Sequence, residues 1–268
     1  MYKMRSFKKK KFIYTLIVPV VLIFIAFISL PLKKPQELTV SKPPVKSMPP
    51  SQTVVPFNKK LHPTDLSSSL WVVVNKGRAL PSSYYPSDLV TPSMLLRFSA
   101  TNPEMMLRRD AAAALEKMSA AASADGISLR LASGFRSYSQ QAAVYAGYVS
   151  SSGSTKADTF SARAGHSEHQ TGLAADLEPA DRSCELEICF SETPAGKWLA
   201  ARSHKYGYIM RYQKDKQNLT GYQFEPWHFR YVGTQLASQI NNSGMTMEEF
   251  FGLAVYNYYP DRLIRLIE

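Results

Sequence analysis

The chain opens on a long apolar run behind a basic flank. From Phe12 to Leu32 no side chain is charged, and Lys8 to Lys11 come immediately before. About twenty residues at ~1.5 Å rise each are enough for a helix to cross the hydrocarbon core of a bilayer. The lysines keep its N-terminal end on the cytoplasmic side and export the residues C-terminal to it. A cleavable signal has a shorter apolar region and a small-residue cleavage site, and Ser29-Leu30-Pro31-Leu32 is a poor one. The pattern therefore predicts a basic tail over 1–11 and an uncleaved transmembrane anchor over 12–32. Eight of the seventeen prolines then fall between Pro31 and Pro63, among Lys, Ser and Val. Such a stretch is an extended, semi-rigid spacer, assigned to 33–66, and it buries no core.

Over 67–268 the apolar positions take on helix and strand periods. Residues 70–74 read as a strand closed by the Asn75-Lys76-Gly77 turn. Asn102 and Pro103 form a helix start, with apolar positions from Met105 to Ala122 and a stop at Asp125-Gly126. Residues 127–131 alternate as a strand. Ser137 and Gln140 make a capping box that opens a helix to about Val149. The Ser- and Gly-rich 150–165 stretch reads as a surface loop, followed by a strand over 173–177. Thr193-Pro194 starts a helix that stops at Gly207. Strands come next over 208–212 and 227–232, then a helix from Met247 to Leu253 and a short one after Pro260. Helices and strands mix without strict alternation, which predicts an α+β fold. The expected architecture is a small antiparallel sheet with flanking helices and a functional cleft on the sheet.

Composition changes the picture in two places. The net charge of +11 hints at nucleic acid, but residues 1–64 hold twelve Lys/Arg and one acid, and the remainder holds twenty of each sign. The basic character belongs to the tail, so no nucleic-acid surface is expected on the folded domain. A hydrophobic content of 45% with 12% aromatics suits a packed core. Cys184 and Cys189, with four residues between them in SCELEICF, are too widely spaced for a C-x-x-C motif. In an exported domain they are expected to close a local disulfide.

The candidate chemistry sits in two polar stretches. GHSEHQTGLAAD carries His166, Glu168, His169 and Asp176. His169 and Asp176 are seven residues apart and would face opposite sides of one straight strand, but Gly172 can break that parity. Asp176 then shares a face with Ala174, while Leu173, Ala175 and Leu177 face the core. In FEPWHF, Glu225 and His228 are likewise out of phase, and Pro226 marks a kink that can bring them together. His228 and Arg230 share a face opposite Trp227, Phe229 and Tyr231. Two His, one Asp and an open position make a catalytic zinc ligand set. A nearby unligated Glu is the general base such a site uses. On spacing alone, ordinary polar residues at strand ends remain an open reading.

Three ordered blocks, SGFRSYSQQ, GHSEHQTGLAAD and EPWHFRYVG, resemble the signatures of the VanY-like D-alanyl-D-alanine carboxypeptidases. These are zinc D-Ala-D-Ala metallopeptidases, and the resemblance spans about residues 70 to 235. It implies that His169, Asp176 and His228 hold one Zn2+ and that Glu225 activates water. It further implies that Arg136 stabilises the oxyanion or holds substrate, and that Ser133 and Gln141 line the substrate pocket. His166 and Glu168 are expected to support the site from outside the ligand set. The pattern has Ala164 where relatives often carry Pro. No H-E-x-x-H helix, G-x-S-x-G elbow or S-x-x-K followed by K-T-G competes with this reading.

The expected protein is a monomeric, membrane-anchored, extracytoplasmic D,D-carboxypeptidase acting on peptidoglycan stem peptides. Alternatives are an L,D-carboxypeptidase, an endopeptidase with the same metal set, or a cell-wall-binding module with a vestigial metal site.

Overall fold

The computed structural model describes residues 57–268. The expected basic tail, the anchor over 12–32 and the spacer up to residue 56 lie outside the described residues. Among the described residues, no helix is long and apolar enough to cross a membrane.

The centre of the domain is a five-stranded sheet. Its strands are β1 (Leu95–Leu96), β2 (Leu129–Ser133), β3 (Ala174–Pro179), β4 (Tyr208–Met210) and β5 (His228–Tyr231), in spatial order β1-β2-β3-β5-β4. Three of the pairings are antiparallel, but β1 runs parallel to β2, so the sheet is mixed and not purely antiparallel as expected. The reason is connectivity. Helix α1 (Arg109–Ala124) carries the chain back along the sheet between β1 and β2, as a parallel pair requires.

Helix α1 buries Ala111, Ala112, Leu115, Met118 and Ala122, a stripe at helical spacing. That stripe packs on Leu129, Leu131, Leu173, Ala175, Leu177 and Phe229, and Trp198 and Leu199 join the same core. Leu173, Ala175 and Leu177 are the core-facing residues expected of the 173–177 stretch, which leaves Asp176 for the opposite face. Helix α2 (Tyr138–Ser152) opens with the expected capping box of Ser137 and Gln140.

Several elements depart from expectation for identifiable reasons. Residues 70–74 form no strand, although Val72, Val73 and Val74 are fully buried. Arginines take their carbonyls, Arg230 binding Leu70 and Val72 and Arg78 binding Val73. Asn102 caps only a 3-10 turn, Pro103–Met105. The next residues turn extended and pair with Leu89–Val90, so the helix waits until Arg109. The expected 150–165 loop contains α3 (Ser154–Phe160), entered through Gly153 at φ 80°. The helix expected from Thr193 is α4 (Pro194–Arg202). An unexpected helix, α5 (Thr234–Ser243), buries Leu236, Ala237 and Ile240. Near the C-terminus Ile264–Arg265 is a strand parallel to Arg78–Ala79 and not a helix. The folded region also reaches back into the expected spacer. Phe57 is buried against Trp71, Phe250 and Phe251, and Leu66 bridges to Ile267.

Candidate zinc centre and active site

The sheet register builds half of the site. In the β3–β5 ladder Asp176 is directly opposite His228, and in the β2–β3 ladder it is opposite Ser133, after a bulge between Leu131 and Ser133. Opposed residues share a face, so the pairing places Ser133, Asp176 and His228 side by side over one side of the sheet. His169 arrives from outside the strands. It lies in a 3-10 turn, Glu168–Thr171, where the Ser167 hydroxyl accepts from the His169 N–H. Gly172 ends this turn at φ 69°, the left-handed region that glycine enters freely. A Cβ there would come within 3.0 Å of Leu89 and Arg108 side-chain atoms, so the position is doubly restricted. This left-handed turn swings His169 onto the face of Asp176, the parity break that the spacing required.

His169 Nε2 lies 3.2 Å from Asp176 Oδ2, and His228 Nδ1 lies 3.1 Å from Asp176 Oδ1. One ligand atom from each of the three residues falls within 4.8 Å of the others. Zinc bonds of ~2.0–2.2 Å in tetrahedral array hold neighbouring donors roughly 3.4 Å apart, so the spacing suits that ion. The outer nitrogens are also committed. His169 Nδ1 donates to the Gly134 carbonyl at 2.6 Å, which leaves Nε2 as the lone-pair atom. His228 Nε2 faces Glu168 Oε2 at 3.4 Å, which leaves Nδ1 inward. Donor chemistry, spacing and outer partners all fit a zinc ion.

Glu225 is buried, and its Oε2 stands 3.9 Å from His228 Nδ1. Its own N–H binds the Tyr212 carbonyl, and Pro226 follows before β5 begins. The kink thus returns Glu225 to the side of His228. Burial, reinforced by the Asp176 charge and opposed by His228, pushes the Glu225 carboxyl up to about 8 in the metal-free protein. Burial works against protonation of His228, yet hydrogen bonds to Asp176 and Glu168 raise its pKa to about 9. Burial alone would raise Asp176, but His169 and His228 hold it well below the usual carboxylate range.

Arg136 follows β2, and its backbone N–H binds the His169 carbonyl. Its guanidinium is held by Ser133 Oγ at 2.8 Å and by Gln141 Oε1 at 3.0 Å. Gln141 in turn donates to the Ala162 carbonyl. Ser133 and Gln141 both brace Arg136, and Gln141 also lines the cleft as expected. Arg136 Nε is buried without a hydrogen-bond partner among the described residues.

Arg136, Gln141, His169, Asp176, Glu225 and His228 line one cleft of about 370 Å³. Tyr148, Phe160, Tyr212, Tyr222 and Trp227 supply its aromatic walls, and Leu186, Glu187 and Ile188 close another side. The last three sit within the Cys184–Cys189 loop, which is closed by the expected local disulfide. Glu185 also pins this loop through ion pairs with Arg97 and Arg182.

Beneath His228 lies a buried ionic array that sequence reasoning did not assemble. Glu168 Oε1 accepts from Arg211 Nε at 2.9 Å and from Arg230 Nη1 at 2.8 Å. All three side chains are fully buried. Burial alone would raise the Glu168 carboxyl, but Arg211 and Arg230 hold it well below its ordinary value. Isolated charges in apolar strand sequence, such as Arg211 in YIMRY, were the available signal. His166 has a separate role, its Nδ1 hydrogen-bonding the Asn75 carbonyl at 2.8 Å.

Known proteins resemble this chain in sequence and fold. The VanY family model, described as D-alanyl-D-alanine carboxypeptidase, matches residues 104–234. A putative carboxypeptidase of Bacillus subtilis, YodJ, is 42% identical over 183 residues, covering 68% of this chain and 67% of its own. The bifunctional D-Ala-D-Ala dipeptidase and carboxypeptidase VanXYC of Enterococcus gallinarum is 32% identical over 180 residues, covering 66% and 91%. Among solved structures, the LdcB LD-carboxypeptidase is 41% identical with a TM-score of 0.67, over 69% of this chain and 87% of that one. The vancomycin-resistance D,D-pentapeptidase VanY, solved with Zn(II), is 32% identical with a TM-score of 0.55, over 69% and 98%. The chain belongs to the VanY family of D-alanyl-D-alanine carboxypeptidases and is a zinc metallopeptidase of that type.

Proposed function

We propose that this enzyme removes the C-terminal D-alanine from peptidoglycan stem peptides, with His169, Asp176 and His228 as zinc ligands. The observation that carries the reading is the convergence of those three donors with Glu225 and Arg136 in one cleft. Bound zinc supplies Lewis acidity, polarising the scissile carbonyl and acidifying the attacking water. Glu225 is the general base, placed beside the ligand atom of His228. It accepts the water proton and returns it to the leaving amine of D-alanine. Arg136, braced by Ser133 and Gln141, presents a fixed guanidinium to the developing oxyanion or to the substrate carboxylate. The aromatic walls and the disulfide-closed loop accommodate the peptide on the N-terminal side of the scissile bond.

The same chemistry serves two substrate lengths. The family description and the sequence blocks support a D,D-carboxypeptidase that trims pentapeptides. The likeness to LdcB, at 41% identity, supports an L,D-carboxypeptidase that trims tetrapeptides. Incubating the zinc-loaded protein with synthetic penta- and tetrapeptides and measuring free D-alanine separates them. Release from one peptide alone names the specificity, and release from neither refutes the carboxypeptidase reading. We further propose that residues 12–32 anchor the enzyme in the membrane, with a monomeric catalytic domain outside the cytoplasm. The uncharged run and its lysine flank support the anchor and its orientation. Membrane fractionation with protease protection tests it, and a protected catalytic domain in intact protoplasts would refute it.

A further inference from the structure

The ionic array beneath His228 continues away from the cleft to a residue outside the family-matched segment. Glu248 sits near the start of a short helix, α6 (Met247–Phe251), and is fully buried. Arg211 grips its carboxylate with both terminal nitrogens, Nη1 to Oε2 at 2.9 Å and Nη2 to Oε1 at 2.6 Å. Asn75 Nδ2 donates to the same Oε1 at 3.0 Å. The third Arg211 nitrogen, Nε, donates to Glu168 Oε1, and Glu168 Oε2 faces His228 Nε2. A continuous path of hydrogen-bonded groups therefore runs Glu248–Arg211–Glu168–His228.

We infer that Glu248 is a positioning residue for the zinc centre, acting through Arg211 and Glu168 on the His228 ring. A two-pronged guanidinium–carboxylate pair has essentially one geometry, so Glu248 fixes the plane of Arg211. That plane decides where Nε points, and hence where Glu168 rests. Arg230 holds Glu168 from a second direction and is itself tied to the Leu70 and Val72 carbonyls. The two arginines together leave Oε2 for the His228 N–H, which keeps the opposite nitrogen turned inward. Two arginines against two glutamates balance the array's charge. Docking of α6 thus becomes part of building the metal site, although α6 contributes nothing to the cleft lining.

This inference rests on the zinc-ligand reading, and the test keeps the two separable. Zinc affinity is measured by competition with a chromophoric chelator on the full chain, for wild type, His228→Ala, Glu248→Gln, Glu168→Gln and the double Glu168→Gln/Glu248→Gln variant. Circular dichroism of each metal-free protein reports folding independently. Loss of an outer-sphere partner costs roughly 10–100-fold in metal affinity. Glu168→Gln is expected in that range and Glu248→Gln at roughly tenfold. A relay in series predicts that the double variant binds zinc no more weakly than Glu168→Gln alone. Folded Glu248→Gln with wild-type zinc affinity overturns the inference, and so do multiplicative losses in the double variant. If Glu248→Gln does not fold, Glu248→Asp keeps the charge while shortening the arm, and a folded, unweakened Glu248→Asp overturns it too. Unchanged zinc binding in His228→Ala would instead overturn the ligand assignment on which the inference stands.

Discussion

Replacing Glu225 with Gln separates catalysis from metal binding and from folding in one variant. The side chain keeps its size but can no longer accept a proton. A positioned general base contributes roughly 10²–10⁴ in rate, so kcat should fall by that factor, about 2.7–5.4 kcal/mol in barrier. Glu225 is not among the three converging ligand residues, so zinc content should stay at one per chain. Stability carries an independent signature. The Glu225 carboxyl is raised to about 8 by burial in the metal-free protein, so it is mostly protonated at pH 7 and close in charge to Gln. A raised folded-state pKa stabilises below the unfolded value and loses that contribution as pH rises through about 8. Above that pH metal-free wild type carries the cost of the buried charge and Glu225→Gln does not. Between the unfolded value and about pH 8, wild type should lose stability relative to the variant by about 1.4 kcal/mol for each pH unit, and the gap should level off above about 8. The assays are steady-state D-alanine release, zinc content, and urea unfolding of metal-free protein at pH 5, 7 and 9. A kcat within tenfold of wild type, or loss of zinc from a folded variant, refutes the assignment.

Other substitutions and conditions read different parts of the site. Arg136→Lys keeps the charge but loses the fork braced by Ser133 and Gln141, so kcat/KM should fall by roughly 10²–10³. Ser133→Ala should cost less, and a near-wild-type Arg136→Lys would remove the arginine from the mechanism. Replacing both Cys184 and Cys189 with Ser loosens the Leu186–Glu187–Ile188 wall, which should raise KM about fivefold with kcat little changed. An unchanged KM would show that the wall does not touch substrate. His228, raised from 6.5 to about 9, carries a proton at pH 7 in the metal-free protein. That proton stabilises the metal-free fold below about pH 6.5, and the contribution is lost as pH rises through about 9. Zinc must displace it, so apparent affinity should fall roughly tenfold per pH unit below about 9. Calorimetry in buffers of different ionisation enthalpy should register at least one proton released at pH 7, and none released would contradict a protonated His228 in the metal-free protein.

Local chemistry of the site was legible in the sequence, and long-range pairing mostly was not. Gly172 and Pro226 announced the two breaks in strand parity that bring His169 to Asp176 and Glu225 to His228, because each carries a backbone constraint of its own. The alternation 173–177 correctly separated the core face from the metal face. By contrast, nothing near residue 70 shows that its carbonyls will be consumed by Arg78 and Arg230 in place of a strand partner. Asn102 is a sound N-cap whose helix is pre-empted by the ladder with Leu89–Val90. The parallel β1–β2 pairing likewise depends on where α1 carries the chain. Helix α5 was legible and overlooked, since Leu236, Ala237 and Ile240 keep helical spacing after Gly233. The Glu168–Arg211–Glu248 array was not legible. Glu168 and the isolated charge of Arg211 in YIMRY stand out singly, but separations of 43 and 37 residues hide which partners they meet.

The proposal that His169, Asp176 and His228 hold the zinc with which this chain releases terminal D-alanine comes down to one comparison. Metal-free and zinc-reconstituted protein are assayed on stem peptides alongside Asp176→Ala, the variant lacking the residue that both histidines face. One zinc per chain and D-alanine release are expected only in the zinc-loaded wild type, with neither in Asp176→Ala. Release that survives full metal removal, or a folded Asp176→Ala that still binds zinc at full affinity, would contradict it.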